Sequence, residues 1–352
     1  MSIEPESIAQ DICLIRLSAI GDTCHVLPVI RTLKAKWPAS RFTWIIGKVE
    51  ASLMQGIDDV ELVIFDKSRG WRAFGDVRNA LRGRRFDVLL HMHASMRANI
   101  VSLNVRAHTR LGFDRVRGRD YQWLFTNQKI AAKQRRHVLD GLFEFAEHLG
   151  VEERELRWDI PVSDADREFA QRHIDLSRPT LVISPCSSQR FRNFRNWSVS
   201  NYAAVADYAA QQYSAQLLIS GGNSELEEQY AKDIIRTCHT DPVNLVGRTS
   251  LKQLLCVLEA ATVVICPDSG PAHMACAVQT PVIGLYATSN RFRTGPYLYQ
   301  DLVVDKYPQA VAQEFGKSPD DLPWGQRVRN PNAMDLIEVD EVKAKLDRVL
   351  GG

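Results

Sequence analysis

Short apolar runs rich in β-branched residues alternate with amphipathic stretches from one end of the chain to the other. Residues 12–17, 42–46, 60–65, 86–91 and 109–113 have the length and composition of buried strands. Residues 25–36 read as a helix stopped by Pro38, and 138–149 (VLDGLFEFAEHL) as a second helix ending at Gly150. Residues 157–161 and a polar helix over 164–174 carry no strong core pattern and read as a connection. The alternation restarts at Thr180, with strands over 181–184, 216–220, 243–246, 263–266 and 282–286. Helices over 198–213, 224–238, 250–261 and 271–278 separate them. Residues 307–334, rich in Pro, Gly and Asn, read as irregular, and a helix over 339–350 closes the chain. Strands joined by crossover helices imply parallel sheets covered on both faces. The predicted fold class is therefore α/β, with two doubly wound domains over 1–175 and 176–335. Residues 336–352 form a C-terminal helix that could pack back on the N-terminal domain.

Composition narrows the function classes. A chain of 352 residues is too long for one ordinary core. With 45% apolar and 24% charged residues it is not disordered, collagenous or a coiled coil. No apolar run approaches the about 18 residues of a membrane-spanning helix. Met1–Gln10 carries Glu4 and Glu6 and has no basic region, so a signal peptide is not expected. Seven cysteines without a C-x-x-C pair suggest neither a disulfide framework nor a zinc site, and point to a reduced, cytoplasmic protein. The net charge of +2 is unevenly placed: residues 61–136 hold 17 Lys and Arg against 6 Asp and Glu. That segment is either a surface for an anionic partner or a solvated arginine-rich face.

In doubly wound sheets ligands bind outside the carboxyl ends of the strands, so the loops that follow strands carry the chemistry. The first, Arg16-Leu17-Ser18-Ala19-Ile20-Gly21-Asp22-Thr23, offers Gly21 for a tight turn and Asp22 at a helix start. Asp22 is either a helix cap or a carboxylate placed to act as general base. A G-x-G-x-x-G fingerprint is missing, which argues against an NAD enzyme. The second loop, residues 184–197, holds the hydroxyls Ser187 and Ser188 with Arg190, Arg192 and Arg195, a set that suits a pyrophosphate. In the third, Gly221-Gly222-Asn223-Ser224-Glu225-Leu226-Glu227, a carboxylate could accept from a sugar diol; Glu227 is better read as half of a capping box with Ser224. The fourth, Asp268-Ser269-Gly270-Pro271-Ala272-His273, opens a helix whose N-terminus suits a phosphate.

Together these loops resemble the ADP-heptose–lipopolysaccharide heptosyltransferases, the glycosyltransferases of family nine. The resemblance rests on Arg16-x-Ser18-x-Ile20-Gly21-Asp22 with Leu27-Pro28, and on Asp268-Ser269-Gly270-Pro271-x-His273 with Pro281-x-x-x-Leu285-Tyr286. It implies a GT-B architecture, two Rossmann-like domains facing across a cleft, and inverting transfer of heptose from ADP-L-glycero-D-manno-heptose to the Kdo region of lipopolysaccharide. It implies no tightly bound cofactor or metal, and it makes Asp22 the general base. A family lysine falls on Arg195, paired threonines fall on Ser187 and Ser188, and a glutamine falls on His93. Implied donor contacts are Ser187, Ser188, Glu225, Asp268, Ser269, Gly270 and His273; implied acceptor contacts are Ser18, Gly21, His93, Arg97 and Arg119. The basic segment, with Arg72, Arg78, Arg82, Arg84, Arg85, Arg97, Arg117, Arg119 and Arg135, would meet the carboxylates and phosphates of a Kdo–lipid A acceptor. The expected partners are thus a nucleotide sugar, that anionic lipid and the cytoplasmic face of the inner membrane, with no nucleic acid. Two alternatives are a nucleotide-sugar epimerase of the same fold, which needs no basic docking surface, and a non-catalytic nucleotide-sugar-binding protein in which Asp22 is only a cap.

Overall fold

The computed structural model describes residues 10–187 and 193–351, in two compact units that divide between Pro161 and Val162. In the first unit the strands are β1 (Asp11–Ile15), β2 (Arg41–Gly47), β3 (Val60–Phe65), β4 (Phe86–His91), β5 (Ala107–Gly112) and β6 (Gln128–Lys129). The helices are α1 (Ile20–Lys36), α2 (Lys48–Met54), α3 (Arg72–Ala80), α4 (Met96–Ser102) and α5 (Val138–His148). All strand pairs are parallel, in the order β3-β2-β1-β4-β5-β6. Ile12, Cys13, Leu14 and Ile15 of β1 are wholly buried, as a strand covered by helices on both faces requires.

The second unit repeats the plan. Its strands are β7 (Thr180–Ile183), β8 (Gln216–Ile219), β9 (Val243–Asn244), β10 (Val263–Pro267), β11 (Val282–Tyr286) and β12 (Val304–Asp305), ordered β12-β11-β10-β7-β8-β9. Its helices are α6 (Asp164–His173), α7 (Val199–Tyr213), α8 (Glu225–Thr237), α9 (Leu251–Ala260), α10 (Gly270–Ala277), α11 (Arg291–Thr294), α12 (Tyr307–Phe315) and α13 (Val339–Leu350). Each sheet winds outward from its middle in both directions. The first therefore reverses between β1 and β4, the second between β7 and β10. Those two gaps are where an open α/β sheet leaves a crevice for a ligand.

Three expectations are corrected. The polar helix over 164–174 is not a connection ahead of a boundary at 175: α6 packs against α9, so the second unit begins at Val162. The C-terminal helix belongs to the second unit as well, where α13 packs on α7 with Val342 and Leu346 wholly buried. Residues 307–334 are not all irregular, because α12 starts there with Pro308 in its first turn, where a missing N–H is tolerated.

Candidate active site

In the first unit the β1–α1 loop ends against α1 itself. Gly21 is not the turn residue, since the helix already starts at Ile20 and buries it. Asp22 lies in the first helical turn, where its carboxylate accepts from the Ala19 N–H at 3.2 Å. That is a capping role, but only part of what holds the group. Arg16, one residue past the end of β1, places Nη2 2.5 Å from Asp22 Oδ2 and donates through Nη1 to the Met92 carbonyl at 2.6 Å. One guanidinium thus ties the end of β1 to the segment after β4, across the reversal of the sheet.

His93 joins this cluster from the β4 side, its Nδ1 accepting from the Leu17 N–H at 3.0 Å. Burial lowers its pKa to about 4, with Arg16 and Arg97 adding to the effect and Asp22 opposing it, so the ring is neutral at pH 7. For Asp22 burial pushes upward, yet Arg16, His25 and the Ala19 N–H outweigh it and hold the carboxyl well below the usual carboxylate range. About a third of the Asp22 side chain (32%) stays open. The cluster therefore presents an ionised carboxylate to solvent at the crevice of the first sheet.

Ser18 lies half-buried in the same loop, and Arg97 is exposed at the start of α4. Arg119 is exposed on the β5–β6 connection, which Asp120 joins to α4: its Oδ2 accepts from Met96 N–H at 2.9 Å and its carbonyl from Asn99 Nδ2 at 2.6 Å. The expected acceptor residues Ser18, Gly21, His93, Arg97 and Arg119 thus come from elements that meet around one crevice. Two residues of the wider basic set do not fit that use. Arg84 pairs with Glu61 at 2.7 Å, and Arg117 pairs with Asp114 and with the buried Glu144. Those side chains hold the fold together. Arg72, Arg78, Arg82 and Arg85 are exposed.

In the second unit the loops after β7 and β10 meet at the other reversal. Arg195 donates through Nη1 to the Asp268 carbonyl at 2.5 Å and to Asp268 Oδ2 at 3.0 Å, and through Nε to Asn193 Oδ1 at 2.6 Å. Both partners of this pair are buried, at 10% and 8% side-chain exposure. Arg327 approaches the same carboxylate at 3.5 Å. Burial raises the Asp268 pKa, but the two arginines and His273 override it and the net shift is downward. Ser187 is locked into the loop, its N–H donating to Asn196 Oδ1 at 2.9 Å and its Oγ accepting from Asn193 at 2.8 Å. Trp197, wholly buried, closes the loop by donating to the Ile337 carbonyl at 3.1 Å. Ser188 lies outside the described residues.

Ser269 precedes α10 but does not cap it; its hydroxyl donates instead to the Pro267 carbonyl at 3.0 Å. The first turn of α10, beginning at Gly270 with His273 buried behind it, keeps the positive end of the helix without an anionic or hydroxyl cap from its own N-cap residue. In the third loop Ser224 caps α8 as expected, but Glu227 does not complete the capping box: its carboxylate accepts from the Gly222 N–H at 2.7 Å and from Ser224 Oγ at 2.6 Å rather than from the Ser224 N–H. Glu225 is exposed at the start of α8, beyond the end of β8, the neighbour of β7. Among the described residues no group of three or more His, Cys, Asp or Glu is arranged to hold a metal ion.

Sequence reasoning left several of these residues without a role. Arg16 had a signal, a charged residue at a strand's carboxyl end. Arg327 had none, because it reaches Asp268 across 59 positions of chain. Glu50, near the start of α2, is half-buried, and burial, reinforced by Asp22, raises its pKa.

Comparison with known proteins bears on the family and the fold. The family model of glycosyltransferase family 9 (heptosyltransferase) matches residues 74–320. The chain is 38% identical over 340 residues to the lipopolysaccharide core heptosyltransferase OpsX of Haemophilus influenzae, covering 97% of each chain. A family 9 glycosyl transferase from Veillonella parvula has a similar structure, with a TM-score of 0.79 at 20% identity over 98% of this chain and 99% of that one. The E. coli heptosyltransferase WaaC, solved with ADP, gives a TM-score of 0.74 at 16% identity over 96% and 99%. These two likenesses bear on the fold, which in both cases extends through the two sheets.

Proposed function

The chain belongs to glycosyltransferase family 9, the heptosyltransferases, and from that premise we propose how its two crevices divide one reaction. It is a lipopolysaccharide heptosyltransferase. In our reading the donor is ADP-L-glycero-D-manno-heptose, held by the second unit, and the acceptor is the Kdo region of lipopolysaccharide, carried on lipid A and held by the first. The observation that carries the reading is the ionised, partly open Asp22 carboxylate at the crevice of the first sheet, braced by Arg16.

A Kdo hydroxyl attacks the anomeric carbon of the heptose while its proton passes to Asp22. The bond from that carbon to the β-phosphate oxygen breaks, and ADP leaves with the electron pair. Attack opposite the leaving group inverts the anomeric centre. General base catalysis of this kind contributes typically about 10²–10⁴-fold. Asp22 paired to Arg16 is ionised but weakly basic. An acceptor carboxylate that draws on Arg16 would loosen that pair and raise the proton affinity of Asp22 as the acceptor seats.

On the donor side the diphosphate gains charge as it leaves. The N-terminal turn of α10, with Ser269, Gly270 and His273, supplies backbone donors and a favourable dipole. Arg195 brings positive charge, and its hold on the Asp268 carbonyl and carboxylate fixes the turn before that helix. Ser187, Ser188 and Glu225 complete the proposed donor contacts. Ser18, Gly21, His93, Arg97 and Arg119 form the acceptor side, where the arginines meet acceptor carboxylates and phosphates. No helix among the described residues is long and apolar enough to cross a membrane. A lipid acceptor then places the enzyme peripherally at the cytoplasmic face of the inner membrane.

The test is transfer from ADP-heptose to Kdo–lipid A by purified protein, wild type beside Asp22→Ala. Expected are transfer by the wild type with an inverted anomeric centre, and turnover about 10²-fold lower or less in a mutant whose circular dichroism is unchanged. Undiminished turnover in Asp22→Ala would remove the base assignment. Transfer only from another nucleotide sugar would remove the donor.

A further inference from the structure

We propose that the β5–β6 connection is a wedge that seats the first unit on an anionic lipid bilayer. Within one short stretch Val116, Tyr121, Trp123 and Leu124 are 85%, 64%, 44% and 63% exposed. Single exposed apolar residues need no explanation, but four large ones on one connection do. They are interleaved with the exposed Arg115 and Arg119, and the Arg115 guanidinium lies 5.6 Å from the centre of the Trp123 ring. Aromatic and aliphatic side chains among arginines match a bilayer surface in both respects: apolar groups enter the headgroup boundary, and cations meet anionic headgroups.

The display is held in place. Gln122, in the middle of the stretch, turns inward and is 1% exposed. Its Nε2 donates to the His91 carbonyl at 2.8 Å, and its Oε1 accepts from the Phe113 N–H at 3.1 Å. Asp114 accepts from the Val116 N–H at 2.9 Å, and Asp120 ties to α4 through Met96 and Asn99. Asp120 and Tyr121 both adopt left-handed backbone, φ 52° and 59°, a conformation a tyrosine seldom takes. Asp114 and Gln122 are thus buried while the large apolar side chains between and beside them face outward, the reverse of what a connection needs for its own stability. His91 lies two residues from His93, so a wedge seated in a bilayer would hold the acceptor crevice beside the membrane.

This deepens the lipid-acceptor reading above, and the test separates the two. Wild type, Trp123→Ala and the double variant Val116→Ser with Leu124→Ser are sedimented with vesicles of phosphatidylcholine alone or with added phosphatidylglycerol. Transfer to a deacylated, water-soluble acceptor is measured beside it. The wild type should bind the phosphatidylglycerol vesicles more tightly than the neutral ones, and less tightly as salt rises. The double variant should partition about tenfold less or weaker, with circular dichroism and soluble-acceptor transfer unchanged. The wedge is overturned if the wild type ignores anionic vesicles, binds both kinds alike, or is matched by the variants. It is also overturned if the variants lose soluble-acceptor transfer along with binding, since the stretch would then belong to the acceptor site. Vesicle binding without transfer to any acceptor would keep the wedge and overturn the functional reading instead.

Discussion

Both sheets place an arginine–aspartate pair at the point where strand order reverses, and the two pairs are built differently. In the first unit Arg16 meets Asp22 with about a third of the carboxylate side chain still open. In the second, Asp268 is enclosed, gripped by Arg195 and approached by Arg327. An enclosed pair has exchanged water for fixed partners on both sides, so it resists rearrangement. An open pair can trade its arginine for an incoming anion. The difference suits the first pair to proton transfer and the second to holding a turn rigid.

The largest effect that would break this comparison is on stability. Asp268→Ala leaves Arg195 buried without its counter-charge, and removing one member of a buried pair costs about 3–5 kcal/mol. Asp22→Ala also leaves a largely buried Arg16 without its carboxylate, but the site is partly open to water and Arg16 keeps its bond to the Met92 carbonyl, so a smaller loss of about 1–3 kcal/mol is expected. Urea unfolding of the two variants should therefore rank Asp268→Ala as the less stable. Equal losses would mean that both pairs are structural.

A subtler measurement sharpens the chemical half. Asp22 is held below the usual carboxylate range, so the wild-type kcat/KM should show no acid limb from this group until pH falls below about 3.9. In Arg16→Met the burial that raises the pKa remains while the main opposing charge is gone. The acid limb should then move upward, with activity declining as pH drops from 6 towards 4, and kcat/KM read across that range checks it. An unmoved limb in Arg16→Met would show that Arg16 does not govern the base.

How far these pairs were legible in the sequence follows from what each depends on. Ten strands were plain because parallel strands buried on both faces are largely apolar, as in VVIC and DICLI, whereas the two-residue edge strands β6 and β12 are too short to leave any pattern. Asp22 and Asp268 were legible because they follow strands. The helices α2, α3 and α4 are 7–9 residues long, two turns or little more, too short for a helical period to stand out in the sequence. Helix α6 looked like a linker because its one fully buried residue is Ala170; its place in the second unit is set by α9. Arg327 could not be found at all, since only the folded chain brings it to Asp268.

The smallest expected effect separates two neighbouring carboxylates on α8. Glu227 binds the Gly222 N–H and the Ser224 hydroxyl, whereas Glu225 is exposed two residues earlier. Glu227→Ala should lower stability by about 1 kcal/mol, as loss of a typical hydrogen bond does, and leave the donor KM near wild type. Glu225→Ala should leave stability unchanged and raise the donor KM about tenfold, the loss of one hydrogen bond to a charged acceptor. Thermal melts and donor titrations on both variants decide it. If Glu227→Ala raises the KM and Glu225→Ala does not, the cap itself shapes the donor loop, and the exposed carboxylate contributes nothing to binding.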